Sequence, residues 1–102
     1  MEKTIEDAKT DSITLKVGEL NIKLGILPGQ TLYEILLAEN NKKLVTFKGK
    51  EYTGMGFFVT DIGDLHEERS KYLMYYINGV EASEGISVYI PKSGDIVEWK
   101  LN

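Results

Sequence analysis

A single segment of the chain carries a helical pattern, and this limits the fold to one helix packed on strands. Residues 31–34 have the spacing of a capping box, in which the Thr31 hydroxyl accepts from the Glu34 N–H and the Glu34 carboxylate reaches back. Three apolar residues and one glutamate then share one helical face: Leu32, Ile35, Leu36 and Glu39. Asn40 and Asn41 are suited to end the helix. A helix of about three turns can cover one face of a small sheet and no more.

The rest of the chain is predicted to form strands. Residues 12–17 and 20–24 alternate polar and apolar side chains, and the short turn between them predicts an antiparallel hairpin. Further strand-like segments lie at 44–47, 54–63, 72–77, 86–90 and 96–101. A hairpin, one helix and then more strands is an α+β order. This order predicts a β-grasp (ubiquitin-like) fold, in which a mixed sheet curls around one helix.

Length and composition limit the class of protein. The chain has 102 residues, so we expect one domain at 13–102, preceded by a polar N-terminal linker at 1–12. A formal charge of −4, with Arg69 as the only arginine, argues against a nucleic-acid partner. The absence of cysteine excludes disulfides, cysteine-ligated zinc and iron–sulfur centres. The apolar runs are too short to span a membrane, and the N-terminus shows no signal peptide.

Three stretches, at 27–37, 72–79 and 87–99, resemble the bacterial transcobalamin-like C-terminal domain family, a domain of unknown function. That family is related to the small β-domain that closes over cobalamin in transcobalamin and intrinsic factor. The resemblance implies a β-grasp module of a bacterial secreted or cell-surface protein, with a cobalamin-like ligand bound between it and a separate domain. Leu73 stands where the family often has tryptophan, and this smaller apolar residue weakens the expectation of a flat ring contact with a corrin.

Aromatic residues on two predicted strands indicate a platform for a flat ligand, because tyrosine and phenylalanine combine large apolar area with defined geometry. The positions that match the ligand-facing hairpin of the cobalamin carriers are Phe58, Thr60, Leu73 and Tyr75. The alternative is that loops 40–54 and 80–90 cover these strands as part of the core. Trp99 is expected in the core as well.

The acidic stretch 61–69 contains the only histidine of the chain. Asp64, His66 and Glu67 are therefore candidate ligands for a divalent metal such as zinc or calcium. Their spacing matches no established ligand pattern, and a solvated hairpin tip is the alternative interpretation.

Catalysis is not predicted, because the chain has no cysteine nucleophile, one histidine and no nucleophile elbow. The sequence instead predicts a non-catalytic binding module for a cobalamin-like or other small planar ligand. The alternatives are a protein-interaction or adhesive module that contacts another protein domain, and a divalent-metal-binding domain.

Overall fold

The computed structural model describes residues 11–43 and 45–102. One α-helix and eight strands are found in this part of the chain, and the helix, α1, spans Leu32–Asn41. The strands are β1 (Asp11–Val17), β2 (Leu20–Ile26), β3 (Phe47–Tyr52), β4 (Gly56–Ile62), β5 (Leu65–His66), β6 (Leu73–Ile77), β7 (Val80–Glu81) and β8 (Ile96–Leu101). The architecture is mixed α+β with mostly strands, as the sequence predicts.

The strands divide between two hydrogen-bonded sheets, where the sequence predicted one curled sheet. The larger sheet has five strands in the order β2-β1-β8-β6-β7, and the smaller has three in the order β3-β4-β5. The larger sheet is mixed, because β1 pairs in parallel with β8 while its other pairs are antiparallel. The predicted hairpin is confirmed as β1 and β2.

The helix is confirmed together with its capping box. The Glu34 N–H donates to Thr31 Oγ1 at 3.2 Å, and the Thr31 N–H donates to Glu34 Oε1 at 2.9 Å. The buried residues of the helix are those of the predicted face: Leu32, Ile35, Leu36 and Glu39. They pack into one core with apolar side chains from both sheets, such as Leu15 of β1 and Ile62 of β4.

The prediction of a strand at 86–90 is wrong, because the backbone there pairs with the helix and with β4 in an irregular turn. The carbonyl oxygens of Ile86 and Tyr89 accept from the N–H groups of Tyr33 (3.0 Å) and Leu32 (2.9 Å) at the start of α1. Helix N-termini leave such N–H groups without partners inside the helix. The turn therefore completes the hydrogen bonding of the helix.

The strand predicted at 44–47 is displaced: β3 begins at Phe47 and continues through the polar residues to Tyr52. An edge strand tolerates charged side chains on its open side, so the lysines here do not break it. Leu44 lies outside the described residues, as does most of the predicted linker, 1–10. Asp11 and Ser12, assigned to that linker, already form the start of β1.

Candidate functional site

An open cleft lies where the smaller sheet meets the first residues of β6. Its volume is about 330 Å³. We call it the aromatic cleft, and it is lined by Tyr52, Met55, Phe58, Val59, Thr60, Glu67, Tyr72, Leu73 and Met74. Among these residues Glu67 is the only charged one, so the cleft is largely apolar with a single carboxylate.

Three large apolar or aromatic side chains of the cleft are open to solvent. Tyr52 is 48% exposed, Met55 53% and Tyr72 62%. Tyr52 and Phe58 meet edge to face, with ring centroids 5.7 Å apart and an interplanar angle of 84°. This preferred geometry of an aromatic pair holds the two rings as neighbouring walls.

The two faces of β4 have different environments, because successive side chains of a strand point to opposite sides. Phe57 packs against Tyr33 of α1, with centroids 4.8 Å apart, and against Phe47 at 6.0 Å. Segment 85–88 covers the start of the same strand, and the Ile86 N–H donates to Phe57 O at 2.8 Å. Phe58 instead lines the open cleft. The alternative prediction, that loops cover the aromatic strands, therefore applies at Phe57.

Glu67 connects the two sheets at the cleft. Its N–H donates to Thr60 O of β4 at 2.9 Å, and its Oε2 accepts from the Leu73 N–H of β6 at 3.0 Å. The carboxylate is thus positioned by backbone contacts at the start of β6, and it is half-buried.

The structure brings together three of the four residues predicted to bind a flat ligand. Phe58, Thr60 and Leu73 line the aromatic cleft, whereas Tyr75 does not. Tyr75 is 5% exposed and stacks on Trp99, which is 2% exposed, with ring centroids 5.2 Å apart. Burial, and then the negative charge of Glu84, raise the pKa of the Tyr75 phenol above its usual value.

Most of the remaining cleft residues were not identified as site residues by the sequence reasoning. Tyr52 and Met55 lie at the β3–β4 turn. Tyr72 immediately precedes β6, and Met74 is the second residue of that strand. The sequence signal that could have pointed to Tyr52 and Met55 is their position beside the glycine turn at 54–56. Their convergence depends on contact between two sheets, which no local pattern records.

The three predicted metal ligands lie in three different environments. Asp64 is exposed in the β4–β5 turn, His66 is exposed on β5, and Glu67 lines the aromatic cleft. Within residues 11–43 and 45–102, no three histidine, aspartate or glutamate side chains form a group that could hold a metal ion. The direct cross-strand partner of His66 is Asp61. Both line a second cavity, of about 400 Å³, together with Lys48 of β3.

A buried carboxylate outside the cleft joins several loops. Asp95 Oδ1 accepts from Asn78 Nδ2 at 3.0 Å, and its Oδ2 accepts from the Lys92 N–H at 2.9 Å and from the Tyr89 hydroxyl. The carboxylate thus links the turn before β8 to the β6–β7 turn and to segment 86–90.

The chain belongs to the family described as Domain of unknown function (DUF4430), whose model matches residues 29–102. No curated protein sequence matches the chain. None of the helices in the described part of the chain is long and apolar enough to cross a membrane.

Several solved structures share the fold, and two of them are informative here. The structure of haptocorrin in complex with Cbi is similar with a TM-score of 0.72 and 20% identity, over 90% of this chain and 25% of haptocorrin. A protein of Ruminococcus gnavus ATCC 29149, named as a candidate metal-binding protein, is similar with a TM-score of 0.66 and 18% identity, over 92% of this chain and 96% of that one. The chain thus spans about a quarter of haptocorrin. The resemblance to the transcobalamin-like domain family is confirmed, and both neighbours are described by what they bind.

Proposed function

We propose that this chain is a non-catalytic β-grasp binding module of a bacterial secreted or cell-surface protein, and that a small, flat, largely apolar ligand binds in the aromatic cleft. The observation that carries the proposal is the cleft itself, with exposed aromatic side chains around a volume of about 330 Å³. Exposed apolar surface of this kind marks binding sites on small proteins.

A corrinoid is the leading ligand, supported by the likeness to haptocorrin in its complex with Cbi. Small-molecule pockets span about 300–1,000 Å³, so the aromatic cleft is at the small end of this range. It would contact one edge of a corrinoid and leave the rest to a second domain. The share of haptocorrin that this chain covers, 25%, agrees with such a half-site.

Thermal unfolding of the purified chain with cobinamide and cobalamin tests the proposal. A ligand that binds only the native state at 100 times its Kd stabilises it by about 2.7 kcal/mol, so we expect a saturable rise in Tm. Tyr52→Ser should abolish this rise, because it removes one wall of the cleft at an exposed position.

Tyr76→Ser is the matched control, since Tyr76 lies on β6 but does not line the cleft. Equal shifts for both variants would place the ligand elsewhere. No shift with either corrinoid would remove the corrinoid as ligand of the isolated chain and favour the interpretation as a protein-interaction or adhesive module.

A divalent metal is the second candidate, favoured by the cross-strand pair of His66 and Asp61 and by the likeness to the Ruminococcus gnavus protein. Zinc takes histidine nitrogen and carboxylate oxygen as ligands, and its remaining coordination positions would be filled by groups other than a third histidine or carboxylate of residues 11–43 and 45–102. Titration with zinc, followed by chelator, should raise Tm reversibly, and His66→Ala should remove the rise. Comparison of Asp61→Asn with Asp64→Asn then identifies the participating carboxylate. A zinc-induced rise that survives His66→Ala contradicts this site.

A further inference from the structure

We infer that the aromatic cleft selects a ligand with an alkylated ammonium group, such as the trimethylammonium head of a choline-like small molecule. The inference rests on the proposed function only in placing the ligand in this cleft, and it requires a positively charged group in place of a flat shape. It follows from how the aromatic rings and the single carboxylate are combined there.

The rings provide the first part of an ammonium site. Tyr52, Phe58 and Tyr72 all line the cleft, and the Tyr52 and Phe58 planes are 84° apart. A cation is attracted to the negative face of an aromatic ring, and several rings at steep angles form the cage that recognises quaternary ammonium ligands. Two methionines, Met55 and Met74, add polarizable apolar contacts suited to the methyl groups.

The carboxylate provides the second part. Glu67 is the only charged residue among those that line the cleft, and its Oε2 accepts one N–H, that of Leu73. A carboxylate has further lone pairs on two oxygens, so it retains acceptor capacity and negative charge toward the cleft. Lys50 pairs with Phe58 across β3 and β4 but does not line the cleft.

Charge separates this ligand class from a neutral apolar one of the same shape. A trimethylammonium group and a tert-butyl group fill nearly the same space, yet only the cation gains from ring faces and carboxylate. Choline and its neutral isostere 3,3-dimethyl-1-butanol are therefore the matched probes. Their binding is measured by NMR titration of the intact chain at constant ionic strength, because exposed charges are screened by salt.

We expect choline to bind saturably and more tightly than 3,3-dimethyl-1-butanol, with shifts at the Thr60 and Leu73 amides. Glu67→Gln should weaken choline binding about tenfold while leaving the isostere unaffected. The amide oxygen of glutamine can still accept from the Leu73 N–H, so the fold is retained. Glu68→Gln is the control, since Glu68 is an exposed neighbour outside the cleft lining.

A second variant tests the contribution of an aromatic ring without changing Glu67. Tyr72→Leu replaces an aromatic face by aliphatic bulk at a position that is 62% exposed. It should weaken choline binding and leave the isostere unchanged. Equal affinity for the two probes, or the absence of choline binding, would overturn the inference.

A Tm rise with cobinamide without choline binding would overturn the inference and leave the proposed function standing, so the two failures are distinguishable. Sedimentation with phosphatidylcholine vesicles separates a soluble ligand from a lipid headgroup. The protein should stay in the supernatant, and co-sedimentation would overturn the assignment to a soluble ligand.

Discussion

Asp95 shows how one side chain stabilises a junction of loops. Burial alone would raise the pKa of this carboxyl, but the donors from the Lys92 N–H, Tyr89 and Asn78 outweigh it, and the pKa is lowered below its usual value. Because the folded state favours the ionised form, the resulting stability is present above the unfolded-state pKa. It is lost as pH falls through the lower folded-state pKa.

Asp95→Asn should therefore lower the free energy of unfolding at neutral pH by about 1–3 kcal/mol, the cost of disrupting a buried hydrogen-bonded group. The difference in the free energy of unfolding from the unmodified chain should shrink as the solution is acidified, because protonation of Asp95 removes the stabilising contribution of its carboxylate. Urea unfolding at a series of pH values measures both effects. Asp64→Asn, in an exposed turn, is the control, and parallel pH profiles of the Asp95 variant and the unmodified chain would contradict the assignment.

Two of the six tyrosines should resist ionisation in alkali. Burial raises the pKa of Tyr75 and of Tyr89, and the hydrogen bond to Asp95 raises that of Tyr89 further. A raised folded-state pKa gives stability that is complete below the unfolded-state pKa and is lost as pH rises through the folded one. Ultraviolet titration of tyrosinate should show these two phenols ionising last. Tyr75→Phe should remove one late equivalent, and an unchanged late phase would show that another phenol is protected.

Segment 85–88 depends on a glycine where it meets β4. A Cβ at Gly85 would lie 2.5 Å from Phe57 N and 2.6 Å from Gly56 C, and both are backbone atoms that cannot rotate away. Gly85→Ala should therefore displace the segment that pairs with the start of α1, with a destabilisation of about 1–3 kcal/mol. Denaturant unfolding tests this prediction.

Gly25→Ala is its control. A Cβ there would meet only Asp11 O at 3.9 Å, an ordinary contact, so this change should be nearly neutral. Similar losses for the two variants would contradict the close approach at Gly85 as the cause, because the lower flexibility of alanine by itself favours the folded state.

At the scale of elements, the sequence predicts best what is determined locally. The helix could be placed because its capping box and apolar face lie within eleven residues, 31–41. Segment 86–90 could not, because its apolar residues resemble a strand while its carbonyl oxygens are engaged by the helix N-terminus far along the chain. The division into two sheets was missed for the same reason, since strand pairing is non-local.

The candidate site was predictable to a similar extent. The family resemblance and the strand-like sequence pattern pointed to the strands that carry Phe58, Thr60 and Leu73. These three residues meet in one cleft. Tyr75 shares the face of Leu73 on β6, and both side chains belong to the core. Leu73 also borders the cleft, whereas Tyr75 stacks on Trp99 away from it. Glu67 was noticed for its charge, and its contact with Leu73 could be known only from the fold.

At the scale of the whole molecule, one core joins the two sheets and the helix. Buried residues from β1, β4, β8 and α1 belong to the same cluster, as Leu15, Ile62, Val97 and Leu36 illustrate. A shared core favours a single cooperative transition. Unfolding followed by Trp99 fluorescence, which reports the larger sheet, should coincide with unfolding followed by circular dichroism. Separate midpoints would indicate that the smaller sheet unfolds independently.

The contact of Glu67 with Leu73 also provides a local observable for occupancy of the cleft. The Leu73 N–H is held by a side-chain carboxylate rather than by a strand neighbour, so its exchange with deuterium depends on how long that carboxylate stays in place. A cation that orders Glu67 from the cleft side slows the exchange of this amide while amides deep in the larger sheet keep their rates. A single backbone proton therefore distinguishes a ligand in the aromatic cleft from one that stabilises the molecule elsewhere.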